Sequence, residues 1–92
     1  MLAYLAWKHA TQGQDLKSLD GLTPDQRFFI GMAQWACGVM RPELKREMAM
    51  TNPHSPEEYR INGLVSNMPE FAHAFFMQSR TEMARENVCR VW

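Results

Sequence analysis

The sequence predicts a mainly α-helical chain that is one piece of a larger domain. Its clearest helix start is Thr23-Pro24-Asp25-Gln26, where threonine can cap, proline suits the first helical position and glutamine completes a capping box. Ten of the thirteen residues at 28–40 are apolar and leave no polar face. A helix that is apolar on all sides belongs inside a larger protein or an oligomer.

Composition excludes two classes of partner. The 92 residues carry 10 Lys+Arg and 10 Asp+Glu, so the formal net charge is 0. Because this balance creates no field that attracts phosphate backbones or anionic lipids, we expect no nucleic-acid partner and no membrane contact. No apolar run is long enough to cross a bilayer, and the length allows one domain at most.

The first predicted helix covers residues 1–10. Leu2, Leu5, Ala6 and His9 follow the i, i+3, i+4, i+7 spacing of one helix face. Since no capping residue precedes this helix, we expect the chain to continue upstream in its natural context. A polar, glycine-containing connection over 11–21 leads to the helix that begins after Thr23.

A third helix is predicted from Pro42 to about Met50, since proline suits its first position. It ends before residues 51–56, which contain two prolines. Proline fixes its own backbone and restricts the residue before it, so this stretch is predicted to be a stiff, extended loop that holds His54.

The remaining residues are predicted to form a short extended segment and a last helix. Apolar and polar residues alternate over 59–65, and an Asn-Gly turn signal interrupts them, which indicates an extended segment. Ser66 or Asn67 can cap a last helix over 69–76. An aromatic terminus at 88–92 is typical of a chain end that is held by packing.

The histidines do not indicate a metal site. None of His9, His54 and His73 lies four residues from another, so the zinc-binding helix pattern H-E-x-x-H is absent. Glu70 and His73 have the i, i+3 spacing of a di-iron helix, but the matching carboxylates on other helices are missing. We expect a surface pair there and no metal ligand in the chain.

His54 and Arg60 are the residues best suited to act on a substrate. The flanking prolines fix the backbone of His54 and preorganise its imidazole, while the planar guanidinium of Arg60 can bind a carbonyl or carboxylate. Together they can hold an oxyanion and a substrate backbone, with the bond-breaking centre elsewhere. The competing interpretation is a histidine that caps a turn and an arginine that forms an ion pair with a nearby glutamate.

The two cysteines leave the redox compartment open. Cys37 and Cys89 are 52 positions apart, which excludes a zinc ribbon or a C-x-x-C redox motif. They can be two separate buried thiols, or they can form disulfides with each other or with partners outside the chain.

Several stretches together resemble one family, and they follow its order and approximate spacing from residue 2 to the last residue. The matching stretches are Leu2-Ala3-Tyr4, Gln26-Arg27-Phe28-Phe29-Ile30-Gly31, Ala33-Gln34, Arg41-Pro42-Glu43, Asn52-Pro53-His54-Ser55-Pro56, Tyr59-Arg60-Ile61-Asn62-Gly63, Ser66-Asn67, Pro69-Glu70-Phe71, Ala74-Phe75 and Cys89-Arg90-Val91-Trp92. The chain resembles the carboxy-terminal end of the neprilysin family of zinc metallopeptidases, which includes the endothelin-converting enzymes and bacterial oligopeptidases.

The resemblance implies that residues 1–92 are the last segment of a metallopeptidase catalytic domain. The family's zinc ligands and general base come from an H-E-x-x-H helix and a downstream E-x-x-x-D helix, both amino-terminal to the matched region. A zinc peptidase needs three protein ligands and a base. We therefore expect zinc only in the full-length enzyme, and we expect the 92-residue chain alone to be inactive.

The resemblance also implies roles for four residues. His54 corresponds to the histidine that stabilises the transition state, and Arg60 to the arginine that binds the substrate backbone. Trp35 and Ala36 fall where the family lines the pocket for the residue after the scissile bond. The commoner pattern there is a small aliphatic residue followed by Trp, so this chain departs from it.

For the cysteines, the resemblance implies pairing with cysteines upstream of this segment, as in secreted members. A third cysteine of those members is replaced by Met77, which suggests a bacterial-type member with fewer bridges. The implied partners are a peptide substrate and the upstream part of the same domain, and the implied location is extracytoplasmic. The alternative is a non-catalytic helical module, a degenerate relic, that forms a homo-oligomer through the apolar helix 28–40.

Overall fold

Five α-helices make up the regular structure of residues 1–89, the part of the chain that the computed structural model describes. They are α1 (Leu2–Ala10), α2 (Pro24–Gln34), α3 (Pro42–Thr51), α4 (Glu57–Val65) and α5 (Pro69–Ala74). The mainly α-helical class is confirmed, as are the first helix, the third helix and the start of the second. Of the terminus predicted to pack at 88–92, residues 90–92 lie outside the described range.

The predicted capping box at the start of α2 is present. The Thr23 hydroxyl accepts a hydrogen bond from the Gln26 backbone N–H at 3.2 Å, and Gln26 Oε1 accepts one from the Thr23 N–H at 3.0 Å. The Gln26 side chain also donates from Nε2 to the Ala74 carbonyl at 2.9 Å. One side chain therefore satisfies the helix start and ties α2 to α5, against which α2 packs.

The prediction of one continuous apolar helix over 28–40 is wrong, because α2 ends at Gln34. The next two backbone N–H groups bond three residues back, Ala36 to Ala33 at 3.1 Å and Cys37 to Gln34 at 3.2 Å, which closes the last turn. Beyond the turn, Pro42 disfavours a helical backbone at the residue before it, and Arg41 is extended at φ −62° and ψ 144°.

The predicted extended segment at 59–65 is also wrong, because these residues belong to α4. Glu57 and Glu58 occupy its first turn, where negative charge is favourable. Ile61 and Val65 have the i, i+4 spacing of one helix face, and both contribute to the core. The apolar positions therefore fit a helix, and α4 tolerates the Asn-Gly pair that suggested a turn.

Ser66 and Asn67 do not cap α5, contrary to the prediction. Both donate to the Gly63 carbonyl, from Ser66 Oγ at 3.1 Å and Asn67 Nδ2 at 2.8 Å. They therefore satisfy a carbonyl at the end of α4. Met68 is the N-cap of α5 and makes no side-chain capping bond.

The connection between α1 and α2 contains a tight turn. Asp20 and Gly21 both have positive φ, 52° and 75°, and the flanking Leu19 and Leu22 exchange two backbone hydrogen bonds at 3.0 and 2.9 Å. An Asp-Gly pair with positive φ at both positions is typical of a two-residue reverse turn. The turn directs the chain back towards Thr23.

The core is small and aromatic. Its buried members are Tyr4, Phe29, Val65 and Met68. Phe29 stacks on Tyr4 with ring centroids 5.2 Å apart and meets Phe71 of α5 edge-on at 5.3 Å. Aromatic pairs at these separations add to the free energy gained from burial alone. This core joins α1, α2, α4 and α5, whereas α3 contributes no buried residue.

Tyr4 also carries a polar contact at the edge of the core. Its hydroxyl donates to Asp25 Oδ2 at 3.1 Å, and Lys8 approaches Asp25 Oδ1 at 3.3 Å. Burial raises the pKa of Tyr4 to about 12, and the Asp25 carboxylate adds to the rise. Both effects disfavour the phenolate, so the folded chain keeps Tyr4 neutral.

Much apolar surface remains outside this core. Trp35 is 72% exposed, Val39 is fully exposed, and Met50 and Tyr59 are 89% and 64% exposed. The radius of gyration is 15.3 Å, against about 12 Å for a compact domain of this length. Exposed apolar side chains therefore occur after α2, in α3 and in α4, and the chain is less compact than a typical domain of its length. Among residues 1–89 no helix has the length and apolar character needed to span a bilayer.

Candidate functional site

His54 lies in the loop between α3 and α4, as predicted. The loop covers residues 52–56, because Thr51 is the last residue of α3. Pro53 precedes the histidine and Pro56 is the N-cap of α4. Proline fixes φ at both places, so the backbone that presents the exposed imidazole has little freedom.

Asn52 contacts His54 twice. Its Oδ1 accepts a hydrogen bond from the His54 backbone N–H at 2.9 Å and lies 3.0 Å from the ring nitrogen Nδ1. Asn52 belongs to a stretch that resembles the family, but no role for it was predicted from the sequence. An asparagine two residues before a functional side chain is the available signal, since its side chain often bonds to the backbone two positions on.

Arg60 lies in the first turn of α4, where its backbone N–H donates to the Pro56 carbonyl at 3.1 Å. Its guanidinium carbon lies 5.1 Å from the centre of the Trp35 ring, over the aromatic face. Such a cation–π contact contributes about 0.5–1 kcal/mol at an exposed site and limits the orientation of the guanidinium. Because α4 begins directly after the loop that holds His54, its first turn places Arg60 close to that loop.

The segment after α2 runs close to the start of α4, which explains how Trp35 reaches Arg60. At Gly38 a Cβ would lie 3.2 Å from the Glu57 carboxylate, tighter than most real contacts. The contact shows that the two segments lie close together, although the exposed Glu57 side chain could move to accept a larger residue. The helices α3 and α4 are linked by the Lys45–Glu58 ion pair at 3.6 Å, which is exposed and contributes little stability.

His54 and Arg60 line one cavity of about 190 Å³. Asn52, Lys45 and Glu57 line it too, so two cationic side chains and one carboxylate share the cavity with His54. The structure therefore brings the predicted pair together, and the Trp35 ring lies over the arginine. Ala36 is half-buried in the turn after α2 and does not line this cavity.

Neither the histidines nor the cysteines form a metal site within residues 1–89, where no group of three or more His, Cys, Asp or Glu side chains could hold an ion. Of the alternatives left open for the cysteines, the structure shows neither buried thiols nor a bond between the two, because Cys37 and Cys89 are both exposed and free. The Cys89 backbone N–H donates to Asn67 Oδ1 at 2.8 Å, which fixes the chain near that thiol.

Comparison with known proteins gives the family. The sequence model of Peptidase family M13 matches residues 1–91. The chain belongs to this peptidase family. It is similar to Neprilysin-1 of Caenorhabditis elegans, with 42% identity over 85 residues that cover 92% of this chain and 11% of that protein.

Two further relatives match almost the whole chain. Membrane metallo-endopeptidase-like 1 of Homo sapiens is 42% identical over 91 residues, and Endothelin-converting enzyme 1 of Rattus norvegicus is 37% identical over 90 residues. Each match covers 98% of this chain and 12% of the relative. The chain therefore spans about an eighth of the length of these curated relatives, and the resemblance drawn from its motifs is confirmed.

Proposed function

We propose that this chain is the carboxy-terminal segment of the catalytic domain of a zinc metalloendopeptidase that hydrolyses oligopeptides. The single observation that carries the proposal is the shared cavity of His54 and Arg60, with Trp35 over the arginine, in a chain of a peptidase family. A donor and a planar cation that face one cavity suit the binding of a peptide backbone.

In this proposal His54 acts on the oxyanion that forms when the scissile carbonyl is attacked. A donor that meets the developing negative charge lowers the barrier, because it binds the transition state more strongly than the ground state. Arg60 donates to a substrate carbonyl beyond the scissile bond and holds the peptide in register. Its stacking on Trp35 supports that role by limiting the directions in which its N–H groups point.

Trp35 and Ala36 are proposed to border the pocket for the residue after the scissile bond. The Trp35 ring already covers the Arg60 guanidinium, so its bulk lies beside the backbone-binding group. We expect the pocket to differ in shape from that of relatives with the commoner order, a small aliphatic residue followed by Trp. We expect the exposed part of the Trp35 indole to determine which substrate side chain this pocket prefers.

Zinc would supply an activated water at neutral pH when bound by the family's ligand set. That set does not fit residues 1–89, where no group of three or more His, Cys, Asp or Glu side chains could hold an ion, and we propose that the ligands come from the upstream part of the domain. The exposed apolar residues Trp35, Val39 and Met50 support an interface with that part. We expect the chain alone to be inactive.

The two exposed thiols fit the same arrangement. Cys37 and Cys89 are proposed to pair with cysteines of the upstream part, and their exposure makes them available for such bonds. Disulfides persist in oxidising compartments, so pairing would agree with an extracytoplasmic peptidase. The name of the human relative, Membrane metallo-endopeptidase-like 1, agrees with this proposal.

A chimera tests the proposal. This chain replaces the matching carboxy-terminal segment of Neprilysin-1 of Caenorhabditis elegans, and peptide hydrolysis and zinc content are measured. We expect zinc-dependent hydrolysis, a fall in kcat of about 10²-fold or more for His54→Ala, and a raised KM for Arg60→Met. Zinc content should stay unchanged in both variants.

The matched control is His73→Ala, which removes an exposed histidine of α5 that lies outside the cavity. It should leave kcat, KM and zinc content unchanged. An active chimera in which His54→Ala and His73→Ala behave alike would remove His54 from the mechanism. A chimera that binds zinc and folds but hydrolyses nothing would count against the proposed function itself.

The structure weakens the alternative, a non-catalytic module that self-associates through an apolar helix. It relied on one apolar helix over 28–40, and α2 stops at Gln34. Under this alternative the exposed apolar residues Trp35, Val39 and Met50 would contact a second copy. Concentration-dependent association of the chain, in sedimentation, together with an inactive chimera would favour this alternative.

A further inference from the structure

One oxygen of the Asn52 side chain meets two nitrogens of His54, at 2.9 Å from the backbone N and 3.0 Å from Nδ1. The backbone N–H is a donor and nothing else, so the atom that it meets must be the amide oxygen. The two contacts therefore settle which way the Asn52 amide faces, independently of the ring.

The amide oxygen then determines the proton on the ring. Oδ1 carries no hydrogen and can only accept, so Nδ1 makes a hydrogen bond to it only when Nδ1 carries the proton. In a neutral imidazole the other nitrogen, Nε2, then has the lone pair. We propose that Asn52 is a positioning residue that holds His54 in the Nδ1–H tautomer and leaves Nε2 as the atom that meets a ligand.

The local backbone supports this assignment. Asn52 and His54 are separated by Pro53, whose fixed φ limits how far the two side chains can move apart. The side chains that line the cavity with His54 include Lys45, Glu57 and Arg60, whereas the hydrogen bond to the ring comes from Asn52. Asn52 is therefore the neighbour that orients the imidazole within the described residues.

This tautomer has a consequence that rests on the proposed function. With Nδ1–H engaged by Asn52, Nε2 can donate to an oxyanion only when the ring carries both protons. A neutral His54 would present a lone pair to the oxyanion and repel it. The active form of His54 is then the imidazolium, and Asn52 acts on catalysis by orienting the His54 ring.

The tautomer is measured directly by two-bond ¹H–¹⁵N correlation of the imidazoles in the isotope-labelled chain. We expect the Nδ1–H pattern for neutral His54, and the exposed His9 and His73 serve as internal references. In Asn52→Ala the His54 pattern should move to that of the references, while Asn52→Asp should retain Nδ1–H because a carboxylate oxygen also accepts. A wild-type His54 that matches the references would overturn the proposal.

Kinetics of the chimera give the second readout. Asn52→Ala should lower kcat by on the order of 10-fold to 100-fold with little change in KM, the range seen when a group that orients a functional histidine is removed. Asn52→Asp should keep most of the wild-type kcat, because a carboxylate oxygen also accepts from Nδ1–H. Equal kcat in wild type and Asn52→Ala would contradict the catalytic consequence.

The two readouts separate the proposals. The correlation spectrum depends on the loop geometry and not on hydrolysis. If the chimera were inactive and His54 still showed Nδ1–H, the proposed function would fail while the role of Asn52 in holding the tautomer would stand.

Discussion

Phe29 should be the most sensitive position of the small core. It is 3% exposed, and three rings surround it: Tyr4 at 5.2 Å, Phe71 at 5.3 Å and Phe28 at 5.5 Å. Phe29→Ala removes the burial of a phenyl ring and all three ring contacts and leaves a cavity. Such substitutions cost about 3–5 kcal/mol.

That loss is large for this chain. A folded chain of 92 residues has a free energy of unfolding of roughly 5–14 kcal/mol, and a core of four buried residues places this one at the low end. Each kcal/mol shifts Tm by roughly 4–8 °C at this size. Phe29→Ala should therefore lower Tm by more than about 12 °C or leave the chain unfolded.

Urea denaturation followed by circular dichroism measures the difference. The matched control is Phe76→Ala, which deletes the same ring where it is 84% exposed and should change stability by less than about 0.5 kcal/mol. Equal losses for Phe29→Ala and Phe76→Ala would refute the packing that joins α1, α2 and α5.

Three further predictions concern single contacts. Thr23→Ala should cost about 1 kcal/mol in the same assay because it removes the cap of α2, whereas Thr23→Ser keeps the acceptor and should cost much less. Folding raises the pKa of Tyr4 from 10.0 to about 12, chiefly through burial and further through Asp25. The stability contributed by the neutral phenol is therefore complete below pH 10 and is lost as the pH rises towards 12. Tyr4→Phe should lose less stability over that window, and equal pH dependence in wild type and variant would contradict the raised pKa. Cys37 and Cys89 should both react with a thiol reagent in native buffer, and a thiol that reacts only in denaturant would contradict their exposure.

Local signals were the most predictable part of the fold. The capping box at Thr23 and Gln26 depends on residues three apart, and proline at the first position of a helix depends on its own ring, so both could be predicted from the sequence. The end of α2 could not, because the run 28–40 stays apolar after the helix has stopped. Its termination coincides with the turn in which the Ala36 and Cys37 N–H groups bond to carbonyls three residues back.

The error at 59–65 came from a pattern that suits two structures. Tyr59, Ile61 and Val65 alternate as in a strand, while the pair Ile61 and Val65 also fits a helix face. Tertiary packing decided between them, since both residues join the core with Phe29. An Asn-Gly pair is weak evidence for a turn when the flanking side chains can be buried by a helix.

The site divides in the same way. His54 and Arg60 could be predicted as a pair from the prolines and the family resemblance, and they share a cavity. The stacking of Trp35 on Arg60 could not, because it requires the path of residues 35–41 past the start of α4. The role of Asn52 depends on two distances that no sequence pattern gives.

We propose that this chain completes a zinc peptidase whose metal ligands lie upstream. The most direct test is to read the DNA immediately 5′ of the Met1 codon in the same frame. The account predicts an open frame that encodes E-x-x-x-D close to Met1 and H-E-x-x-H further upstream. An in-frame stop codon before either motif would contradict it and would make the non-catalytic module the leading explanation.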